Sequence, residues 1–216
     1  VSLDICVPIF HKNRELFLHK DNQGNFGGSL IALEKNTEVP FRLLVMMDGG
    51  TRDDFAVLES YLSGAEYEWN LVHERQPVYY SACVSELFSH VKNKMVALIP
   101  PEVTVNDDNW YGKMQLVFMR DPNALVAFAD EETPGSLPPH RLPHNFHPEE
   151  PMMLMTKHVT EAMPQHSSLF TAKTFAAKVS SWAHGYGGNR WGAPSVRRFV
   201  VKGDPHGRRA REKART

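Results

Sequence analysis

Two carboxylates stand directly after apolar runs that contain no other acid. Asp48 closes Phe41–Met47 (FRLLVMM) and opens Gly49-Gly50-Thr51-Arg52-Asp53, and Glu102 follows Lys94–Ile99 (KMVALI) across Pro100-Pro101. A carboxylate can accept hydrogen bonds, or can hold a divalent cation through hard oxygen atoms. Each also has a plainer reading, Asp48 as a turn opener and Glu102 as a solvated loop acid. The Gly49-Gly50 pair at a strand end strengthens the functional reading of Asp48, and the two prolines stiffen the backbone that carries Glu102. A third run, Leu3–Phe10 (LDICVPIF), ends in Pro8, Ile9, Phe10 and His11.

These residues need elements to position them. The three apolar runs have the nearly continuous hydrophobicity of strands buried on both faces. Helical patterns alternate with them. Ser29–Lys35 is a short candidate, and Thr51 with Asp54 three residues on is a capping-box start for a helix carrying Phe55, Leu58 and Leu62. Val84, Leu87, Phe88 and Val91 fall on one helical face, and Trp110, Met114, Val117 and Phe118 mark a further helix. Glu68–His73 and Ala124–Ala129 read as additional strands. This alternation predicts an α/β fold with a mostly parallel central sheet flanked by helices, built from right-handed crossovers. Ligands in such sheets sit beyond the carboxyl ends of the strands where strand order reverses. That rule selects Pro8–His11, Asp48–Thr51 and Pro100–Glu102.

The chain has 216 residues, 42% hydrophobic and 23% charged, with a formal net charge of −1. These values suit one well-cored domain and exclude wholesale disorder. Near-neutral charge argues against a dedicated nucleic-acid binder. Cys6 and Cys83 lie inside apolar stretches and read as reduced core residues. No run reaches the ~18 apolar residues of a membrane span, and no signal peptide is evident, so a cytoplasmic location is expected.

Beyond Ala129 the pattern changes. Asp130–Pro151 is rich in proline and histidine, as expected of a lid or binding loop. Pro138, Pro139 and Pro143 disfavour a helix that would turn His140, His144 and His147 into a zinc site. Met152–Met155 reads as a short strand, Thr171–Trp182 as a helix, and Gly185–Gly192 as a flexible glycine segment around Arg190-Trp191. Residues 207–216 form a basic tail. Tyr79-Tyr80 could stack on a base, or simply pack. Neither a dinucleotide-type glycine fingerprint nor a P-loop occurs.

In order and spacing, three segments resemble the family-2-like GT-A glycosyltransferases: Val7-Pro8-Ile9-Phe10-His11, Met47-Asp48-Gly49-Gly50-Thr51-Arg52-Asp53, and Ala97-Leu98-Ile99-Pro100-Pro101-Glu102-Val103. The resemblance covers about residues 2–130. It implies a single GT-A-like domain, with 1–130 binding a nucleotide-sugar and 131–206 elaborating the acceptor side. It further implies transfer of a sugar from a nucleotide-diphospho-sugar, uridine-based, to a carbohydrate or other hydroxyl acceptor. Pro8, Ile9, Phe10, His11, Asp48, Gly49, Tyr80 and Pro101 would line the nucleotide site, with Asp48 accepting from an imide N–H and Phe10 offering an apolar face to the base. Glu102, aided by His206, would hold Mn2+ or Mg2+ against the donor diphosphate. Prolines replace the first acid of the family's metal motif, His11 replaces its asparagine, and Lys12–Gly28 is an insertion. Glu131, Glu132, Glu149, Glu150 and Asp204 are equal candidates for a general base. Two other readings remain, a non-catalytic GT-A-like binding module and a nucleotidyltransferase.

Overall fold

The structure, a computed structural model, describes residues 3–76, 78, 80–130, 140–141, 152–163, 172–185, 189–194 and 198–200. Strand β1 (Leu3–Phe10) runs into a 3-10 turn (His11–Asn13), helix α1 (Arg14–Phe17) and a small hairpin of β2 (His19–Lys20) and β3 (Phe26–Gly27). Then come α2 (Ser29–Asn36), β4 (Phe41–Asp48), α3 (Arg52–Leu62), β5 (Glu68–Glu74), α4 (Tyr80–Ser89), β6 (Met95–Leu98), β7 (Val103–Val105), α5 (Trp110–Arg120) and β8 (Ala124–Asp130). The later elements are β9 (His140–Arg141), β10 (Met153–Thr156), α6 (Lys157–Ala162), α7 (Ala172–Gly185), β11 (Asn189–Pro194) and β12 (Arg198–Val200).

Eight strands form one sheet in the order β5-β4-β1-β6-β10-β8-β11-β9. From β5 through β6 all pairings are parallel, β10 runs antiparallel between β6 and β8, and β11 is again parallel to β8. The fold is therefore the expected α/β architecture. The chain steps from β1 outward through β4 to β5, then crosses back to lay β6 on the other side of β1. Order thus reverses at β1, which opens a crevice at the carboxyl ends of β4, β1 and β6.

Alternation along the strands sorts the core into two layers. Leu3, Ile5, Val7 and Ile9 join Leu43 and Val45 under α2, α3 and α5, with Trp110 fully buried among them. Cys6, Leu44, Met46, Val96 and Leu98 face the other way, against Cys83, Val84 and Leu87 of α4 and Phe175, Ala176 and Val179 of α7. Both cysteines are free and buried, and burial pushes the Cys6 thiol far up.

Three elements differ from expectation. The second part of the glycine segment is a strand: Asn189–Pro194 pairs with β8, which supplies the ladder partners its own composition does not advertise. Val103–Val105, too short to carry a period, pairs with β12. The inserted stretch after β1 forms a short helix and a hairpin, with Phe26 edge-on to Tyr61 of α3 at 4.8 Å. Among the described residues, no helix is long and apolar enough to cross a membrane.

Candidate functional site

The sheet register aligns the site. Phe10 pairs with Asp48 and Cys6 with Leu98, so the ends of β1 and β4 are flush and the turn after β6 rises beside the last residues of β1. Asp48 and Glu102 consequently leave strands on either side of β1, at the same edge of the sheet. Two strand spacings of ~4.8 Å separate those strands. This juxtaposition is the one that the sequence pattern required.

The turn carrying Asp48 is tightly specified. Its carboxylate Oδ1 accepts the Val78 N–H at 2.6 Å, and the side chain is buried at 3% exposure. Gly49 donates its N–H to the Glu74 carbonyl at 2.7 Å. Gly50 has φ +94°, a left-handed value that favours glycine. Thr51 and Asp54 then cap α3 reciprocally, the hydroxyl accepting from Asp54 N–H and the carboxylate accepting from Thr51 N–H. Those hydrogen bonds from Thr51 are the chief reason that the Asp54 carboxyl lies below its ordinary range, with Arg14 assisting from 2.8 Å.

Glu102 sits in a turn of a different kind. The Val103 N–H closes on the Pro100 carbonyl at 3.0 Å, and the Ser29 hydroxyl at the start of α2 donates to the Pro101 carbonyl at 2.8 Å. These bonds and the paired prolines fix the backbone. The Glu102 carboxylate oxygen Oε2 is buried, yet it has no hydrogen-bond partner among the described residues. A buried carboxylate oxygen without a donor is costly, and a hard divalent cation is the kind of group that relieves it. The residue thus fits a cation, as a single carboxylate. No group of three or more His, Cys, Asp or Glu side chains gathers among the described residues.

The other expected site residues divide. His11 lies at the edge, its Nδ1 3.3 Å from the Asp48 carbonyl oxygen. Pro8 and Pro101 are buried, and Ile9 is wholly enclosed in the α2/α3/α5 layer, so its side chain faces away from the crevice. Phe10 is only 2% exposed, with its ring 4.4 Å from that of His11, which departs from an open stacking face. Tyr80 likewise packs, edge-on to Phe175 at 5.8 Å. The sequence pointed to it because aromatics suit bases, but at the start of α4 it faces the second core layer. His206, Tyr79, His144, His147, the acids Glu131, Glu132, Glu149, Glu150 and Asp204, and the basic tail lie outside the described residues, as do the side chains of His140, Arg190 and Trp191. Val78 and Ser29 were not foreseen. Their roles arise from contacts 30 and 72 residues away in the chain, which no local pattern encodes.

No protein-family profile matches the chain, and no curated protein sequence matches it. Solved structures do. The mannosyltransferase PcManGT from Pyrobaculum calidifontis, in complex with GDP-Man and Mn2+, superposes with a TM-score of 0.67 at 12% identity over 97% of this chain. S. aureus TarS matches with a TM-score of 0.58 at 11% identity over 91% of the chain. HddC from Yersinia pseudotuberculosis matches with a TM-score of 0.58 at 11% identity, covering 98% of this chain and 99% of its own. The chain spans 60% of PcManGT and 58% of that TarS chain. These likenesses show a GT-A-like α/β fold for the chain.

Proposed function

We propose that the chain is a glycosyltransferase domain that binds a nucleotide-diphospho-sugar across the carboxyl ends of β4, β1 and β6. The observation that carries this reading is the pair of carboxylates flanking β1, one buried and anchored and the other bearing a buried oxygen without a donor. Asp48 accepts, so the base it reads must offer a ring N–H, as uracil and guanine do. We take uridine as the base. Glu102 would hold Mn2+ or Mg2+, and His206 would complete the ligand set. When bound, the cation neutralises charge gathering on the departing nucleoside diphosphate. The chain's own contribution is to fix both ends of the donor. The β4–α3 turn orients the base, and the Pro100-Pro101 turn holds the carboxylate rigid beside the diphosphate, so little reorganisation accompanies transfer. Residues 131–206 would serve the acceptor. GDP-Man and Mn2+ in PcManGT support a nucleotide-sugar and a divalent ion for this fold.

Isothermal titration of UDP and GDP, each with and without Mn2+, tests the reading. Heat with UDP that strengthens with Mn2+ is the expected result. Heat with GDP alone would change the base and keep the class, and no heat with either would remove the proposal. A second reading, a binding module without catalysis, is favoured by Pro100-Pro101, which leaves Glu102 as the sole acid of its turn. Slow hydrolysis of a UDP-sugar without acceptor separates the two, since a pure binder leaves it intact.

A further inference from the structure

The Asp48 turn is clasped by the segment that follows β1, and the clasp has a specific chemistry. The Asp48 carbonyl oxygen can only accept, so the 3.3 Å contact from His11 requires the proton on Nδ1. Three residues on, Arg14 Nη1 binds Asp54 Oδ1 at 2.8 Å, so the same segment grips the turn at both of its ends. The imidazole is also seated by packing. Its ring lies 4.4 Å from Phe10, and a Cβ on Gly50 would come within 2.9 Å of His11 Cβ. Glycine at 50 therefore serves twice, permitting φ +94° and leaving room for the His11 Cβ that carries the ring. On the opposite side Asp48 is held by the Val78 N–H through its carboxylate, and Gly49 by the Glu74 carbonyl. With the side chain tied from one direction and the carbonyl from the other, rotation of the Asp48 unit is blocked.

We infer that His11 is a positioning residue, whose Nδ1–H, donated to the Asp48 carbonyl, sets the direction in which the Asp48 carboxylate meets the base. This rests on the reading of the site given above. The Nε2 atom takes no part in that function. Asparagine places its Nδ2–H the same number of bonds from Cα as histidine places Nδ1–H, so it can make the same bond. Leucine has comparable girth and no donor, so it removes this bond.

Two measurements test this on the full chain. In 15N-histidine-labelled protein, the imidazole nitrogen shifts of neutral His11 should show the Nδ1–H tautomer, against the Nε2–H form that free side chains prefer. An Nε2–H tautomer overturns the inference without reference to any ligand. In calorimetric titrations of UDP and GDP with Mn2+, His11→Leu should bind about 10-fold more weakly, the effect of one lost hydrogen bond, while His11→Asn stays within about 3-fold of wild type. Circular dichroism checks that both variants are folded. Equal losses in both would mean that the ring itself touches the nucleotide, and unchanged binding in His11→Leu would mean that the bond positions nothing. Either result overturns the inference. Wild type that binds neither nucleotide brings down the site reading and the positioning role together, and the tautomer then reports a bond that only holds the fold.

Discussion

The two edges of the parallel strands treat their carboxylates in opposite ways. At the amino edge, Asp4 is fully buried and accepts from Arg42 Nε and Nη2, Lys92 N–H, Asn93 N–H and Asn93 Nδ2, at 2.7 to 3.1 Å. Arg42, 5% exposed, spends its remaining donors on the His90 carbonyl and on Glu68. At the carboxyl edge, Glu102 holds a buried oxygen that nothing described satisfies. A satisfied buried carboxylate fastens strands, and the unsatisfied oxygen of Glu102 is the one to which the proposed cation is assigned. The same residue class, on the same sheet, is thereby assigned two jobs by its donors alone.

Breaking the satisfied edge should have the largest effect. Arg42→Met leaves Asp4 as an uncompensated buried charge, and urea unfolding should report a loss of about 3–5 kcal/mol. The same edge predicts an acid dependence. Burial pushes the Asp4 pKa up, but the hydrogen bonds from Arg42, Asn93 and Lys92 outweigh it and hold the group below its ordinary value of 3.8. A lowered native value contributes stability that is complete above 3.8 and is lost as pH falls through the native value. Stability measured against pH should therefore drop in that acid window, and in Asp4→Asn this part of the drop should disappear.

Changing the unsatisfied edge should do the reverse. Glu102→Gln removes a charge whose buried Oε2 has no hydrogen-bond partner among the described residues, so its melting temperature should equal or exceed that of wild type. Its Mn2+-dependent nucleotide affinity should fall at least about 10–100-fold, the range seen when even outer ligands of a metal are removed. A variant that lost stability and kept binding would erase the contrast. The smallest effect belongs to the Asp48–Thr51 turn, at the same carboxyl edge. Thr51→Ala deletes the α3 cap and should cost about 1 kcal/mol in chemical unfolding.

Much of this was legible in the residues. Leu3–Phe10, Phe41–Met47 and Lys94–Ile99 are apolar apart from Asp4, Arg42 and Lys94, and each forms a buried strand within a residue of its expected limits. Thr51 and Asp54 announced α3 by a local rule that needs no tertiary context. Topology followed from alternation, which is why Asp48 and Glu102 could be placed at one edge before any coordinates. What local pattern missed was set by distant partners. Asn189–Pro194 becomes a strand because β8 offers a ladder, and Tyr80 and Phe10 are buried because α7 and the His11 ring cover them. The saturation of Asp4 and the lack of a described partner for Glu102 Oε2 are equally invisible in sequence, since both depend on which donors turn toward the side chain.

The most direct test of the site is a Mn2+ titration followed by electron paramagnetic resonance, on wild type and on Glu102→Gln, in the presence of UDP and then of GDP. Wild type should draw free Mn2+ into a bound form when the matching nucleotide is present, and Glu102→Gln should leave it free. Equal Mn2+ binding by the two proteins, or none by wild type with either nucleotide, would contradict the assignment of Glu102 and with it the metal-assisted site.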